Sequence, residues 1–124
     1  MSRVSLTFPA ETENIAIART AAATLAARCE LTIDQVEDAR LAVDEAVSQL
    51  ILVAPGSQIT CEFTAGEGEL ALLAWSDAAV NLRFDTDSFG WTVMRALVDT
   101  LEDASTPDGP ALALRIARRE AVQA

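Results

Sequence analysis

Two helical periodicities stand back to back near the start of this chain, and that order restricts its fold more than any other feature. In residues 10–28, Ile15, Ala18, Ala22, Leu25 and Cys29 recur at helical spacing. Thr32-Ile33-Asp34-Gln35 then spells a capping box, with Thr32 as N-cap and Gln35 three residues on. A second helix is predicted from there to about residue 53 through Val36, Val43, Val47, Leu50 and Ile51, ended by Pro55-Gly56. Ahead of the pair, Val4, Leu6 and Phe8 alternate with Ser5 and Thr7 as a half-buried strand that Pro9 closes.

Behind the pair the period changes to two. Residues 58–64 and 69–75 read as strands joined by the hairpin signal Ala65-Gly66-Glu67-Gly68. Residues 80–84 form a weaker strand pattern, and 87–97 a third helix with Trp91, Met94 and Val98 on one face. A last strand pair, 98–103 and 111–118, is split by the turn Thr106-Pro107-Asp108-Gly109-Pro110. Strands and helices do not alternate, so a doubly wound sheet is excluded. The expected fold is α+β, a two-layer sandwich of a mostly antiparallel sheet with helices on one face. With 124 residues the chain holds one domain, 1–124.

Composition narrows the function. Hydrophobic residues make up 51% of the chain, enough for a packed core. No apolar run reaches the roughly 18 residues of a membrane span. The start, Met1-Ser2-Arg3-Val4, lacks the apolar centre of a signal peptide, so a cytoplasmic protein is expected. The net charge is −10, and every basic residue is arginine. Nucleic-acid binding needs phosphate neutralisation, which this balance opposes. The one basic cluster, Arg115, Arg118 and Arg119, reads as a solvated strand end. A basic protein partner suits the acidic field better. Cys29 and Cys61 form no CxxC pair and the chain has no histidine, which argues against a zinc cluster and a thioredoxin-type motif. Both thiols are expected to be buried.

The second helix carries the chemistry. In Leu41-Ala42-Val43-Asp44-Glu45-Ala46-Val47-Ser48-Gln49, Glu45 and Gln49 stand four apart on one face. Such a carboxylate can take a proton from an attacking hydroxyl, and such an amide oxygen can ligate magnesium. A plain solvated helix face explains the same spacing.

This stretch resembles the N box of the GHKL ATPase superfamily, and most of all that of the RsbW-type serine-kinase anti-sigma factors. The likeness runs through most of the chain. Leu6-Thr7-Phe8-Pro9-Ala10, Asn14 and Arg19 resemble the family's first strand and helix. The segment from Ser88 to Asp99 resembles its second glycine box, in wording most similar to mycobacterial members, and Gly109-Pro110 stands where the last box has Gly-Thr. The resemblance implies a Bergerat-type sandwich with Glu45 as catalytic base, Gln49 at the magnesium position, Asp77 on the adenine and Gly90 beside the phosphates. It implies that Asn14 and Arg19 face an alternative sigma factor and a STAS-domain anti-anti-sigma factor, and it makes a homodimer plausible.

The pattern also breaks. Gln49 replaces asparagine and is one methylene longer. Asp77-Ala78-Ala79-Val80-Asn81 lacks both glycines of the first box. Ser88 replaces a glycine of the second, Asp87 brings negative charge to the helix start, where it is expected to act as N-cap, and Pro110 replaces the threonine of the last. Only residues 78–87 separate Asp77 from the second box, too few for the family's ATP lid. The expectation is therefore an anti-sigma factor with a degenerate nucleotide site and no bound cofactor. The alternative is an active serine kinase using Mg-ATP. In both readings Glu45 and Gln49 are expected to face the concave side where nucleotide sits in relatives.

Overall fold

The computed structural model describes residues 1–79 and 83–119. Five strands, β1 (Ser2–Pro9), β2 (Gln58–Gly66), β3 (Glu69–Ser76), β4 (Thr100–Asp103) and β5 (Ala111–Ala117), form one sheet in the order β1-β2-β3-β5-β4. All four neighbouring pairs are antiparallel, with registers such as Phe63↔Leu72 and Leu72↔Leu114. Three helices, α1 (Ile15–Arg28), α2 (Ile33–Val53) and α3 (Phe89–Leu97), cover one face. This is the expected two-layer α+β sandwich.

Local signals explain the elements. Thr32 Oγ1 accepts from Gln35 N at 3.1 Å while Thr32 N donates to Gln35 Oε1 at 3.2 Å, so the capping box forms as read. Buried Gln35 also donates to the Ala117 carbonyl at 2.6 Å and accepts from Arg119 N at 3.2 Å, tying the start of α2 to the end of β5. The helix stripes bury Ala18, Ala22 and Leu25 from α1, Val43, Val47 and Leu50 from α2, and Trp91 and Met94 from α3. They close over Ile59, Cys61, Phe63, Leu70, Leu72, Leu112, Leu114 and Ile116 of the sheet. Small residues line the α1–α2 seam: Ala18, Ala22, Ala39, Ala42 and Ala46 are fully buried, so the two helices approach closely. Both cysteines are buried and free, and burial pushes the Cys61 thiol up to about 12. Neither reads as a reactive thiolate.

Several boundaries move. The first helical stretch opens with a 3-10 turn, Thr12–Asn14, before α1. Helix α3 begins at Phe89 with Ser88 as N-cap, its Oγ accepting from Trp91 N at 3.2 Å. Asp87, the expected cap, stays outside the helix because Ser88 already holds the extended backbone that a cap needs. The final strand pair starts at Thr100, since Val98 ends α3 and buries its side chain. Of the weak 80–84 strand, residues 80–82 lie outside the described residues, and Arg83 and Phe84 are not strand. Phe84 turns into the core against Trp91, with ring centroids 5.6 Å apart. The arginines at the end of β5 are met by acids: Arg115 pairs with Glu69 at 3.2 Å and Arg118 with Glu30 at 3.1 Å.

Candidate functional site

On α2, Glu45 and Gln49 do share a face, one turn apart. Gln49 Nε2 donates to Glu45 Oε1 at 3.0 Å. They are more enclosed than side chains expected to face nucleotide on a concave side. Gln49 is only 7% exposed, although Glu45 keeps partial access. The cause is the first turn of α3, which lies directly on the pair. A Cβ added at Gly90 would stand 2.0 Å from Glu45 Oε1 and 2.5 Å from Gln49 Nε2. A residue with a Cβ at this position would have to push the ends of both side chains aside. The structure thus brings Glu45, Gln49 and Gly90 together, in contact with one another.

The Glu45 carboxylate and the Gln49 amide oxygen are the groups that would hold a magnesium ion here. The amide turns its N–H end to the carboxylate, and Gly90 covers both. Among the described residues, no group of three or more Cys, Asp or Glu side chains is gathered to hold a metal.

Asp77 is not brought to this cluster. Its Oδ1 accepts from Gln58 N at 2.9 Å, and its own N–H donates to the Gln58 carbonyl at 3.0 Å, clamping β3 to the start of β2. It lines a cavity with Leu73 and Trp75, and none of Glu45, Gln49 and Gly90 lines that cavity. Gly109, from the last box, takes φ +148° and packs so closely that a Cβ would meet the Ala78 carbonyl oxygen at 2.6 Å. Beside it, the Pro110 carbonyl accepts from Ser76 N at 3.0 Å. The last box therefore zips onto the end of β3.

The α1 residues lie on the other side of α2. Asn14 Nδ2 donates to the Pro9 carbonyl at 2.9 Å, closing the turn between β1 and α1. Arg19 reaches across the helix seam, its NH1 3.0 Å from Asp44 Oδ1. Its side chain is 37% exposed. Asp44, next to Glu45 in the same motif, is the partner that holds Arg19. Ile17 and Leu41, on the same two helices, are large apolar residues left 51% and 42% exposed.

A five-stranded antiparallel sheet under helices, with an acid-and-amide motif on α2 and Gly90 in the first turn of α3 seated on it, defines the histidine-kinase-like ATPase class of domain. Residues 8–116 match the histidine kinase-like ATPase domain family, and the chain belongs to that family. Within it, the similarity is to RsbW-type anti-sigma factors. The chain is 32% identical over 109 residues to the anti-sigma-F factor RsbW of Mycobacterium tuberculosis strain H37Rv, covering 85% of this chain and 65% of that protein. It thus spans just under two thirds of that relative's length. It is 29% identical over 121 residues to an anti-sigma F factor of Thermoanaerobacter sp. strain X514, covering 84% of this chain and 85% of the other. The fold agrees with a crystal structure of RsbU and RsbW domains from Mycobacterium tuberculosis, with a TM-score of 0.72 at 15% identity, over 98% of this chain and 35% of that one. No helix among the described residues is long and apolar enough to cross a membrane.

Proposed function

We propose that this chain is an anti-sigma factor that sequesters an alternative sigma factor of the F or B type without help from nucleotide. A STAS-domain anti-anti-sigma factor is its expected antagonist, and both partners meet the α1 surface around Asn14 and Arg19. The observation that carries this reading is the contact of Gly90 with Glu45 and Gln49. In a working kinase those two groups must face a metal-bound triphosphate; here they face each other and the backbone of α3. The α1–α2 surface keeps its arginine and its exposed Ile17 and Leu41, features of a protein-binding face.

A second reading, an active Mg-ATP-dependent serine kinase, is favoured by one feature. Glu45 remains partly accessible beside the start of α3, where helix N–H groups favour phosphate. Two measurements separate the readings. The chain, tagged, is mixed with purified alternative sigma factors from the same genome, and complex formation is followed by gel filtration with and without Mg-ATP. Separately, its melting temperature is recorded with Mg-ATP. Ligand at a hundred times its dissociation constant adds about 2.7 kcal/mol, several degrees in a domain this small. A sigma complex indifferent to ATP, and a flat melt, are expected. A saturable shift at micromolar ATP would overturn the degenerate nucleotide site, and failure to bind any sigma factor would remove the anti-sigma reading.

A further inference from the structure

The sheet face opposite the helices is not uniform. At the far end of β3 and β5 it holds a cavity of about 510 Å³. Leu73, Trp75 and Ala111 supply its apolar lining, and Asp77, Asp108 and Thr106 its polar one. Asp77 spends one carboxylate oxygen on the Gln58 N–H. Its other oxygen and the whole Asp108 carboxylate accept no hydrogen bond among the described residues. Neither acid belongs to the ion pairs of the chain, although all nine arginines lie within the described residues.

The cavity also continues. Leu73 borders a second hollow of about 310 Å³, further along the same face, which Glu62, Thr64, Glu102 and Arg115 help to line. Two adjoining hollows on a sheet match alternate side chains of an extended segment, which repeat every two residues, about 6.6 Å. The first hollow pairs an indole with two carboxylates. A guanidinium is the side-chain group that satisfies both at once, stacking on the ring and forking to the acids. Lysine offers a point charge and no planar face.

We propose that this face binds an arginine-bearing extended segment of a protein partner, with the guanidinium held between Asp77 and Asp108 and stacked on Trp75. The aliphatic stem lies along Leu73, and the next outward residue of the segment enters the second hollow beside Glu102. The site is separate from the Arg19 surface and from the Glu45–Gln49 cluster, so it stands whether or not the sigma-binding reading holds.

The test is a nitrogen-15 NMR titration of the full chain with the peptide acetyl-Arg-Leu-Arg-amide. A control peptide carries citrulline in place of both arginines, keeping the shape and removing the charge. The Trp75 indole N–H and the amides of Ala78 and Gly109 should shift together and saturate. The citrulline peptide should bind at least about tenfold more weakly, the equivalent of about 1.4 kcal/mol. Asp108→Asn should weaken the arginine peptide several-fold while leaving the rest of the spectrum in place. Asp77→Asn keeps an oxygen for the Gln58 N–H and should act in the same direction. Equal binding of both peptides, shifts centred on Asp85 and Asp87 instead, or no saturable shift would overturn the proposal. So would movement of the same resonances on simple dilution of the protein, which would assign the face to a second copy of this chain.

Discussion

Arginine 19 shows how much a single residue's meaning depends on its partner. Its guanidinium is held by Asp44 at 3.0 Å, with both side chains about one-third exposed. A half-exposed pair of this kind stabilises a fold by only about 0.2–1 kcal/mol. Arg19→Ala is therefore expected to leave the circular dichroism spectrum unchanged and stability nearly so. If Arg19 anchors the sigma complex, the same change should weaken that complex by about 2 kcal/mol, roughly thirtyfold, and Arg19→Glu by more. Asp44→Asn separates two roles. If Asp44 only competes with the partner's carboxylate for Arg19, this variant should bind as tightly as wild type or more so. If Asp44 orients the guanidinium, it should bind more weakly. Calorimetry on the three variants checks all of this, and equal affinities throughout would place the interface elsewhere.

At the scale of elements, the seating of α3 on α2 decides what the motif can do. Replacing glycine by alanine inside a helix normally favours the helix by up to about 1 kcal/mol. At Gly90 the new methyl would overlap Glu45 Oε1 and Gln49 Nε2, and Gln49 is buried. Both atoms are the far ends of flexible side chains: Glu45 can swing toward solvent, while buried Gln49 has to repack, so the cost lies at the lower end of the about 1–3 kcal/mol of overpacking and still exceeds the helix gain. Gly90→Ala is expected to lower the urea midpoint. Glu45→Ala in the same chain should restore part of the loss, because it removes the nearest clashing atom. A double-mutant cycle measures that coupling. Strict additivity of the two changes would mean that α3 does not rest on the pair in solution. The motif at α2 was legible in the sequence as a spacing. Its closure was not, because it is a contact between α2 and α3, elements more than thirty residues apart in the chain, that no local spacing encodes.

The molecule as a whole is an acidic body with a net charge of −10. Its few positive groups are largely spoken for: Arg3, Arg19, Arg40, Arg115 and Arg118 each lie within ion-pair distance of an acid. Long-range attraction is therefore available to a basic partner. Association of the sigma complex is expected to slow by roughly tenfold or more as ionic strength rises from about 0.05 M to about 0.5 M, with dissociation much less affected. Stopped-flow mixing at several salt concentrations checks this. A salt-independent association rate would leave the charge with a role in solubility alone.

What the sequence determined by itself is whatever a few neighbouring residues can encode. The capping box at Thr32 and Gln35, the apolar stripes of α1 and α2, the hairpin between β2 and β3, and the order of elements all belong here. Each rests on hydrogen bonds or periodicities that close within a turn or two. The tertiary structure alone decided three things. It placed Asp77 in a cavity with Trp75 and away from Glu45; both faces of β3 read as apolar, from Leu70, Leu72 and Ala74 on one side and Ala71, Leu73 and Trp75 on the other, so alternation could not say which face looks to the helices. It tied Arg19 to Asp44, residues 25 apart in the chain. And it set Gly90 onto the Glu45–Gln49 pair, a contact that exists only because two helices with a sheet between them in sequence come within van der Waals reach in space.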